Sequence, residues 1–326
     1  MGLAIVKEGL CDTIQDAGRK GFAASGINPG GAMDVLAMKI ANALVGNSLT
    51  EAVLEMHFPA PVIYFHQPAI IAISGADLNA VLDLQTNHQA LQLPINKTAF
   101  VNAGTTLSFK NKIIGERACL AVKGGFNLPL WFGSYSTNIK IKEGGFKGRT
   151  LKAGDHLSLM KKHPALNASN QVFPWSANMQ SWYADPGTCN FLAGPEWHWL
   201  NAASQKQFTN IPFTLTAQSD RMGLHLEGNS IGMMQQQQLL SSGVNFGMIQ
   251  LLPNGNLVIL AADHPTTGGY PRIANVITAH LPKLAQAKPG TKIRFLHTSL
   301  ENAQELLGVM QKELLQLQQA VAFKLQ

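Results

Sequence analysis

Short apolar runs separated by turn residues dominate the chain. The clearest runs are rich in β-branched residues and span residues 61–65, 69–74, 119–122, 247–252, 257–262 and 292–295. Runs of this length that are bounded by turn signals are typical of β-strands. The pattern therefore predicts a strand-rich protein.

Helical spacing is clear at two places. Residues 34–44 carry an apolar stripe behind Asp34, which can cap the first turn, and Gly46 stands where such a helix would end. In residues 300–320, apolar side chains recur at intervals of three and four. We predict a helix in each segment, the second being a C-terminal helix that lies across a sheet.

An irregular stretch at residues 167–186 separates two strand-rich halves. It predicts two domains, 1–185 and 186–326. Each half has a Gly-Gly pair at the end of its strand series, Gly124-Gly125 and Gly268-Gly269, which suggests a pseudo-repeat of two barrels. The glutamine run at residues 235–238 is too short for a low-complexity domain, so we predict a loop there.

Composition and charge narrow the possible function classes. Of the 326 residues, 46% are hydrophobic and 13% are charged, as expected for a folded globular protein. The net charge is +6, but the basic residues are scattered, which favours a small anionic substrate or an acidic partner protein over nucleic acid. The sequence shows no paired cysteine motif, no signal peptide and no membrane-spanning run. We therefore expect a cytoplasmic protein without a membrane segment.

Several well-known catalytic motifs do not occur in the sequence. The glycine-rich residues 144–150 lack the spacing and the Lys-Ser/Thr ending of a P-loop. There is no zinc-binding histidine pair and no G-x-S-x-G motif, so we predict neither a metal site nor a serine hydrolase of that type. Residues 37–40 resemble the tetrapeptide of biotin carriers, but Lys39 falls within the predicted helix, which favours an ordinary solvated lysine.

Polar residues cluster in four segments in a way that a buried core would not require. The first segment contains Asp16 and Arg19, followed by Asp34. Asp16 and Arg19 are close enough in sequence to pair with each other in a turn. For Asp34 we favour the role of a helix cap over a role in a site.

The second segment joins residues 74–77 to Lys123 and to residues 133–138, which include Ser134 and Ser136. Consecutive glycine amides beside Lys123 could bind an anion or an oxyanion. Tight turns with solvated hydroxyl groups explain each of these features equally well.

The third and fourth segments lie in the second half of the chain. The third contains Glu196, Asp220 and Arg221. The fourth follows the apolar run at 257–262 and combines an acid, two hydroxyl groups, two glycine amides and a phenol, namely Asp263, Thr266, Thr267, Gly268, Gly269 and Tyr270. A turn alone would not need these neighbours, so the fourth segment is the strongest candidate for chemistry.

These motifs occur in the same order in a known family. They lie at residues 9–10, 13–16, 18–19, 31–34, 41–42, 54–55, 74–77, 133–134, 136–137, 194–196, 219–223 and 266–271. The chain resembles the biotin-dependent carboxyltransferase-like family over nearly its whole length. The resemblance implies a mainly β fold of two cyclophilin-like β-barrel subdomains with a few helices. Tyr135, Pro265 and Ser242 stand where the family commonly has Arg, Gln and Glu.

The resemblance also implies an activity. Some members are subunits of ATP-dependent 5-oxoprolinase, which opens the lactam of 5-oxoproline to L-glutamate together with an A and a B subunit. Others are the carboxyltransferase component of urea carboxylase, and a third possibility is a non-catalytic binding partner of a kinase-inhibitor-like B subunit. The sequence contains neither a biotin carboxylase nor a biotin carrier. We therefore expect a 5-oxoprolinase subunit in a heteromeric complex that uses ATP and not biotin.

Lactam opening suggests roles for the candidate residues. We hypothesise that Arg19 or Arg221 binds the substrate carboxylate and that residues 266–269 stabilise the oxyanion. Asp263 or Asp16 would position a water molecule. The remaining candidates are Asp220 as a catalytic residue and, as substrate-binding residues, Lys123, Ser134, Ser136 and Tyr270.

Overall fold

The computed structural model describes residues 2–84, 90–160, 169–234 and 239–325. The helices are α1 (Val35–Val45), α2 (Ala202–Asn210), α3 (Leu281–Ala285) and α4 (Leu300–Lys324). The strands are β1 (Leu3–Lys7), β2 (Thr13–Gln15), β3 (Val53–His57), β4 (Val62–Phe65), β5 (Ala69–Asp77), β6 (Ala80–Leu84), β7 (Ala90–Leu93), β8 (Lys97–Val101), β9 (Thr105–Phe109), β10 (Ile114–Val122), β11 (His156–Leu157), β12 (Gln171–Ser176), β13 (Thr188–Ala193), β14 (Phe213–Leu215), β15 (Gly223–Glu227), β16 (Ser242–Gly243), β17 (Met248–Leu251), β18 (Leu257–Leu260), β19 (Thr267–Gly268), β20 (Arg272–Val276) and β21 (Lys292–His297).

The chain divides into two compact units. Unit 1 comprises Met1–Arg19, Gly30–Met179 and Lys312–Gln326. Unit 2 comprises Lys20–Pro29 and Gln180–Gln311. The domain division at 185/186 stays a prediction.

Unit 1 contains two six-stranded antiparallel sheets. Their strand orders are β11-β1-β4-β9-β6-β7 and β12-β8-β5-β10-β3-β2. Alternate side chains of both sheets enter one buried apolar cluster, which includes Leu3 and Ile63 from the first sheet and Ile73 and Leu120 from the second. Because each sheet has one apolar face, the shared cluster removes both faces from water and holds the sheets together.

Helix α1 packs against β5 and β10 of unit 1. Asp34 Oδ1 accepts a hydrogen bond from the Ala37 N–H at 2.9 Å, and Gly46 ends the helix with a φ of 73°. The predicted helix and the capping role of Asp34 are therefore confirmed. Lys39 lies within this helix, as expected.

Unit 2 is built around a closed barrel with the strand order β13-β20-β17-β18-β15-β14-β21. The barrel closes through one parallel pair, β13 with β21, and its other pairs are antiparallel. Phe208 of α2 stacks on Phe295 of β21 with a centroid distance of 4.8 Å, and both rings are buried. The short strands β16 and β19 pair outside the barrel.

The structure confirms the mainly β fold class, the strands predicted from the apolar runs and the C-terminal helix. Helix α4 extends four residues beyond the predicted end at 320, to Lys324. Residues 235–238 and the first two residues of the irregular stretch at 167–186 lie outside the described residues. Among the described residues, no helix combines the length and the apolarity that crossing a membrane requires.

Candidate functional site

The carboxylate of Asp16 is the centre of a hydrogen-bond network in unit 1. Its Oδ1 accepts hydrogen bonds from the hydroxyl groups of Ser134 and Ser136, each at 2.6 Å, and from the Gly18 N–H at 2.8 Å. Its Oδ2 accepts from the Tyr135 N–H at 2.6 Å. Asp16 is buried, as are both serines. The network thus joins three of the predicted site residues, Asp16, Ser134 and Ser136, and fixes the loop that carries the serines.

Arg19 lies beside this network. Its guanidinium group donates to the backbone carbonyl of Ser136 and stacks over the Trp131 ring, with 4.4 Å between the guanidinium carbon and the ring centroid. Arg19 is buried, at 2% exposure. The side chain is therefore part of the packing of the 131–136 loop, and Trp131 is a neighbour that the sequence motifs did not identify.

The backbone amides of Gly124 and Gly125, beside Lys123, donate to acceptors within the protein. The Gly124 N–H donates to Asn47 Oδ1 at 2.8 Å, and the Gly125 N–H donates to the Val122 carbonyl at 3.0 Å. These two amides are therefore occupied by protein acceptors. Ser74 is also used internally, since its hydroxyl group donates to Asn96 Oδ1 at 2.7 Å.

Arg221 and Asp263 form a two-point ion pair in unit 2. The Nε of Arg221 donates to Asp263 Oδ2 at 2.8 Å, and a terminal guanidinium nitrogen donates to Oδ1 at 3.1 Å. The Asp263 N–H also donates to the Arg221 carbonyl at 2.7 Å, and Asn28 Nδ2 donates to the Asp263 carbonyl at 3.1 Å. These contacts hold the carboxylate in one orientation, three residues after the end of β18.

Asp220 is adjacent in sequence to Arg221 but has a different environment. Its Oδ1 accepts the N–H groups of Met222 at 2.7 Å and of Gly223 at 3.0 Å. A side chain that binds the backbone two and three residues onward stabilises a turn. The contacts of Asp220 are those of a turn residue, and the turn leads into β15.

Glu196 and Arg272 form a second two-point pair in unit 2. Arg272 donates from Nε to Glu196 Oε2 at 3.0 Å and from a terminal nitrogen to Oε1 at 2.8 Å. Its other terminal nitrogen donates to the Gly243 carbonyl in β16 at 3.2 Å. Because β16 pairs with β19, this arginine connects the Glu196 turn to the Thr267–Gly268 strand. Burial favours the neutral form of Glu196, but the hydrogen bonds from Arg272 outweigh it and lower the pKa of Glu196.

The strongest predicted segment forms an exposed turn around β19. Thr267, Gly269 and Tyr270 are exposed, whereas Thr266 and Gly268 are half-buried. The buried Gln250 of β17 contacts this turn. Its Nε2 donates to the Tyr270 carbonyl at 3.4 Å, and a Cβ at Gly268 would lie 2.5 Å from the same Nε2. A larger residue at 268 would therefore have to displace the amide end of the Gln250 side chain.

A cavity of about 790 Å³ adjoins this turn in unit 2. Gly269, Tyr270 and Pro271 contribute to its lining, together with Ile231 and Leu251. Its lining among the described residues contains no charged side chain. A cavity of this size is large enough for a small organic molecule, and its lining fits an uncharged group better than a triphosphate.

Two buried titratable groups lie close to predicted site residues. Burial raises the pKa of Asp12 to about 7, with Glu8 adding to the effect while a hydrogen bond from the Gly9 N–H opposes it. Burial lowers the pKa of His264, against the opposing effects of the Pro265 carbonyl and Asp263. Neither residue was a predicted site residue, although Asp12 directly precedes the motif at 13–16 and His264 directly follows Asp263. In the part of the chain that the structure describes, no three His, Cys, Asp or Glu side chains form a metal-binding group.

Comparison with known proteins decides the family. A model of the carboxyltransferase domain, subdomains A and B, matches residues 25–297. The chain belongs to this carboxyltransferase-domain family. Among its relatives, the C subunit of 5-oxoprolinase from Escherichia coli is 38% identical over 92% of this chain and 93% of that protein. The 5-oxoprolinase C subunit from Haemophilus influenzae is 34% identical over 90% of each.

A solved structure has the same fold as this chain. The urea amidolyase of K. lactis superposes with a TM-score of 0.87 at 27% identity and covers 97% of this chain. The chain spans only 20% of the length of that protein. The resemblance predicted from the motifs is thus confirmed at the level of the family.

Proposed function

We propose that this chain is the C subunit of an ATP-dependent 5-oxoprolinase, acting with A-like and B-like subunits to convert 5-oxoproline to L-glutamate. The observation that carries the proposal is the full-length match to the E. coli protein, which covers 92% of this chain and 93% of that protein. By contrast, the chain corresponds to one fifth of the K. lactis urea amidolyase. The identity is also higher to the E. coli C subunit, at 38%, than to the urea amidolyase, at 27%, which supports the 5-oxoprolinase role.

The chemistry of the proposed reaction explains why ATP is needed. Amide resonance makes the lactam carbonyl a poor electrophile. Transfer of a phosphoryl group from ATP to the carbonyl oxygen, with release of ADP, makes the carbon electrophilic. Water then adds to this carbon, and the C–N bond breaks to give an acyl phosphate and a free amine. A second water molecule then releases glutamate and phosphate. We place the use of ATP at the level of the complex and assign no ATP site to this chain.

Within this proposal, the ion pair of unit 2 has the chemical role. Arg221 holds the Asp263 carboxylate by two hydrogen bonds, so that Asp263 can orient a water molecule with little loss of side-chain entropy. Thr266, Thr267 and the amide of Gly269 supply donors for the developing oxyanion. The Asp16 carboxylate already accepts four hydrogen bonds, and we assign it to holding the Ser134 loop.

Reconstitution tests the proposal. The chain is mixed with A and B subunits, and ATP-dependent glutamate release from 5-oxoproline is measured with Asp263→Asn and Arg221→Ala. We expect each variant to lose roughly 100-fold or more in rate, as for groups that position a reacting water molecule. Asp220→Asn is the matched control, because its contacts are those of a turn, and we expect it to retain most of the activity. Unchanged turnover with both Asp263→Asn and Arg221→Ala would refute the assigned roles.

A second candidate function is carboxyl transfer from a separate biotin carrier. The observation that favours it is the TM-score of 0.87 to the K. lactis urea amidolyase. The two candidates differ in the donor that they consume. Loss of carboxybiotin on addition of the chain and urea, without ATP-dependent glutamate release from 5-oxoproline, would favour this second function.

A further inference from the structure

A cleft of about 330 Å³ lies in unit 1 between residues 129–131 and 142–148. Trp131 forms part of one side, and Lys142, Glu143 and Lys147 contribute to the other. The buried Arg19 lies directly behind it, since a Cβ at Gly144 would come within 2.6 Å of its guanidinium group. The cleft therefore has an aromatic wall, and its surroundings carry three cationic groups and one carboxylate.

The backbone around this cleft is held in an unusual conformation. Among the described residues, six that are not glycine have a positive φ, and three of them are Asn or Asp, which tolerate it. The other three are Phe132 at 47°, Lys142 at 58° and Lys147 at 57°. All three lie in or next to the two segments that form the cleft. Strained residues of this kind concentrate at ligand-binding sites.

The loop also presents backbone donors that the protein does not use. Gly144 and Gly145 have φ values of 70° and 54°, and a Cβ at Gly145 would lie 1.9 Å from Thr137 Oγ1. Gly145 is buried, yet in the described parts of the chain neither its N–H nor that of Gly144 donates to an acceptor. Buried N–H groups are nearly always paired, so an acceptor from outside the chain is expected here.

The charges near these two amides indicate what kind of acceptor it is. Lys142 and Lys147 are exposed. The Lys147 ammonium group lies 5.2 Å from the centroid of the Phe146 ring, and its charge also acts on the Asp155 carboxylate. Glu143 adds one opposing charge to the lining. Free amides with neighbouring ammonium groups bind oxyanions.

We propose that this cleft binds a small oxyanion, a carboxylate or a phosphate group, at the amides of Gly144 and Gly145. Lys142 and Lys147 supply the charge, and Trp131 contacts the apolar part of the ligand. This binding site goes beyond the proposed function, because binding of a carboxylate or a phosphate group there does not depend on which reaction the complex catalyses. The spacing of residues 144–150 differs from that of a P-loop, so the sequence of this loop does not match that phosphate-binding motif.

Calorimetric titration of the full chain tests the proposal with three probes: inorganic phosphate, 5-oxoproline and the uncharged analogue 2-pyrrolidinone. We expect at least one of the two anions to bind and 2-pyrrolidinone not to bind. Lys142→Asn and Lys147→Asn each remove a charge while keeping a residue that tolerates the left-handed backbone, and each should weaken binding about ten-fold. Glu143→Gln removes the opposing charge and should strengthen binding.

Lys140→Asn is the matched control, because Lys140 is an exposed lysine of the same loop outside the cleft lining. Binding of phosphate alone identifies a phosphate group as the ligand, and binding of 5-oxoproline alone identifies a carboxylate. The proposal is overturned if neither anion binds at millimolar concentration. It is also overturned if Lys140→Asn weakens binding as much as the cleft variants do, or if 2-pyrrolidinone binds as tightly as 5-oxoproline.

Discussion

The Asp16 network predicts a specific local effect of Asp16→Asn. The amide retains one oxygen, which can still accept from Ser134, Ser136 and Gly18, but its NH₂ group replaces the oxygen that accepts the Tyr135 N–H at 2.6 Å. Two donors then face each other in a buried place, and the charge that strengthened the other three bonds is lost. An unsatisfied buried donor costs about 1–3 kcal/mol, so we expect the 131–138 loop to open more easily by about 2 kcal/mol.

Hydrogen exchange measures this effect at the residue concerned. A change of about 2 kcal/mol in local opening corresponds to roughly thirty-fold faster exchange of the Tyr135 amide. Asp77→Asn is the control, because the Asp77 carboxylate accepts the Asn79 N–H in a turn elsewhere in unit 1. A change of less than about three-fold at Tyr135 would refute the view that Asp16 holds this loop. Equal acceleration in both variants would do so as well.

Three further predictions concern stability. Gly145→Ala places a methyl group 1.9 Å from a threonine hydroxyl oxygen and should lower the free energy of unfolding of unit 1 by roughly 3 kcal/mol or more in urea. Gly133→Ala is the control: its φ is 71° but the space around it is open, so we expect a loss of about 1 kcal/mol. Burial raises the pKa of Asp12 from 3.8 to about 7. Between these values the folded chain retains a proton that the unfolded chain releases. The Asp12 carboxyl therefore destabilises the folded protein increasingly as the pH rises from about 4 to 7. Asp12→Asn should reduce the loss of stability between pH 5 and pH 8, measured by urea unfolding, by roughly 3 kcal/mol. Parallel pH profiles of the two proteins would contradict this. Glu196→Gln weakens the pair with Arg272 and should lower the stability of unit 2 by about 2 kcal/mol at pH 7. The pKa of Glu196 lies below 4.5, so the carboxylate becomes protonated only as the pH falls below that value. The difference in thermal stability between the wild type and Glu196→Gln should therefore shrink at such low pH. A difference that does not change with pH would contradict the ion pair.

The strand pattern was predictable because the apolar runs are local features. The run at 257–262 appears as β18, and the stripe behind Asp34 appears as α1 with the cap that the sequence indicates. The order of strands in the sheets was not predictable, because pairing such as β5 with β10 depends on contacts between residues far apart in sequence.

The candidate site was only partly predictable from the motifs. The motifs marked Asp16 and Ser136, but 120 positions separate them, and the hydrogen bond that joins them depends on the fold. Likewise, the partner of Arg221 is 42 positions away, at Asp263. Residue type alone indicated polar chemistry in each case, whereas the two-point geometry that holds the Asp263 carboxylate is a property of the folded barrel.

We propose that the chain is an essential component of an ATP-dependent 5-oxoprolinase. The most direct measurement is glutamate release from 5-oxoproline by A and B subunits with ATP, recorded with and without this chain. We expect turnover that requires all three proteins and that releases one ADP for each glutamate formed. Glutamate release at the same rate without this chain, or no release when all three are present, would contradict it.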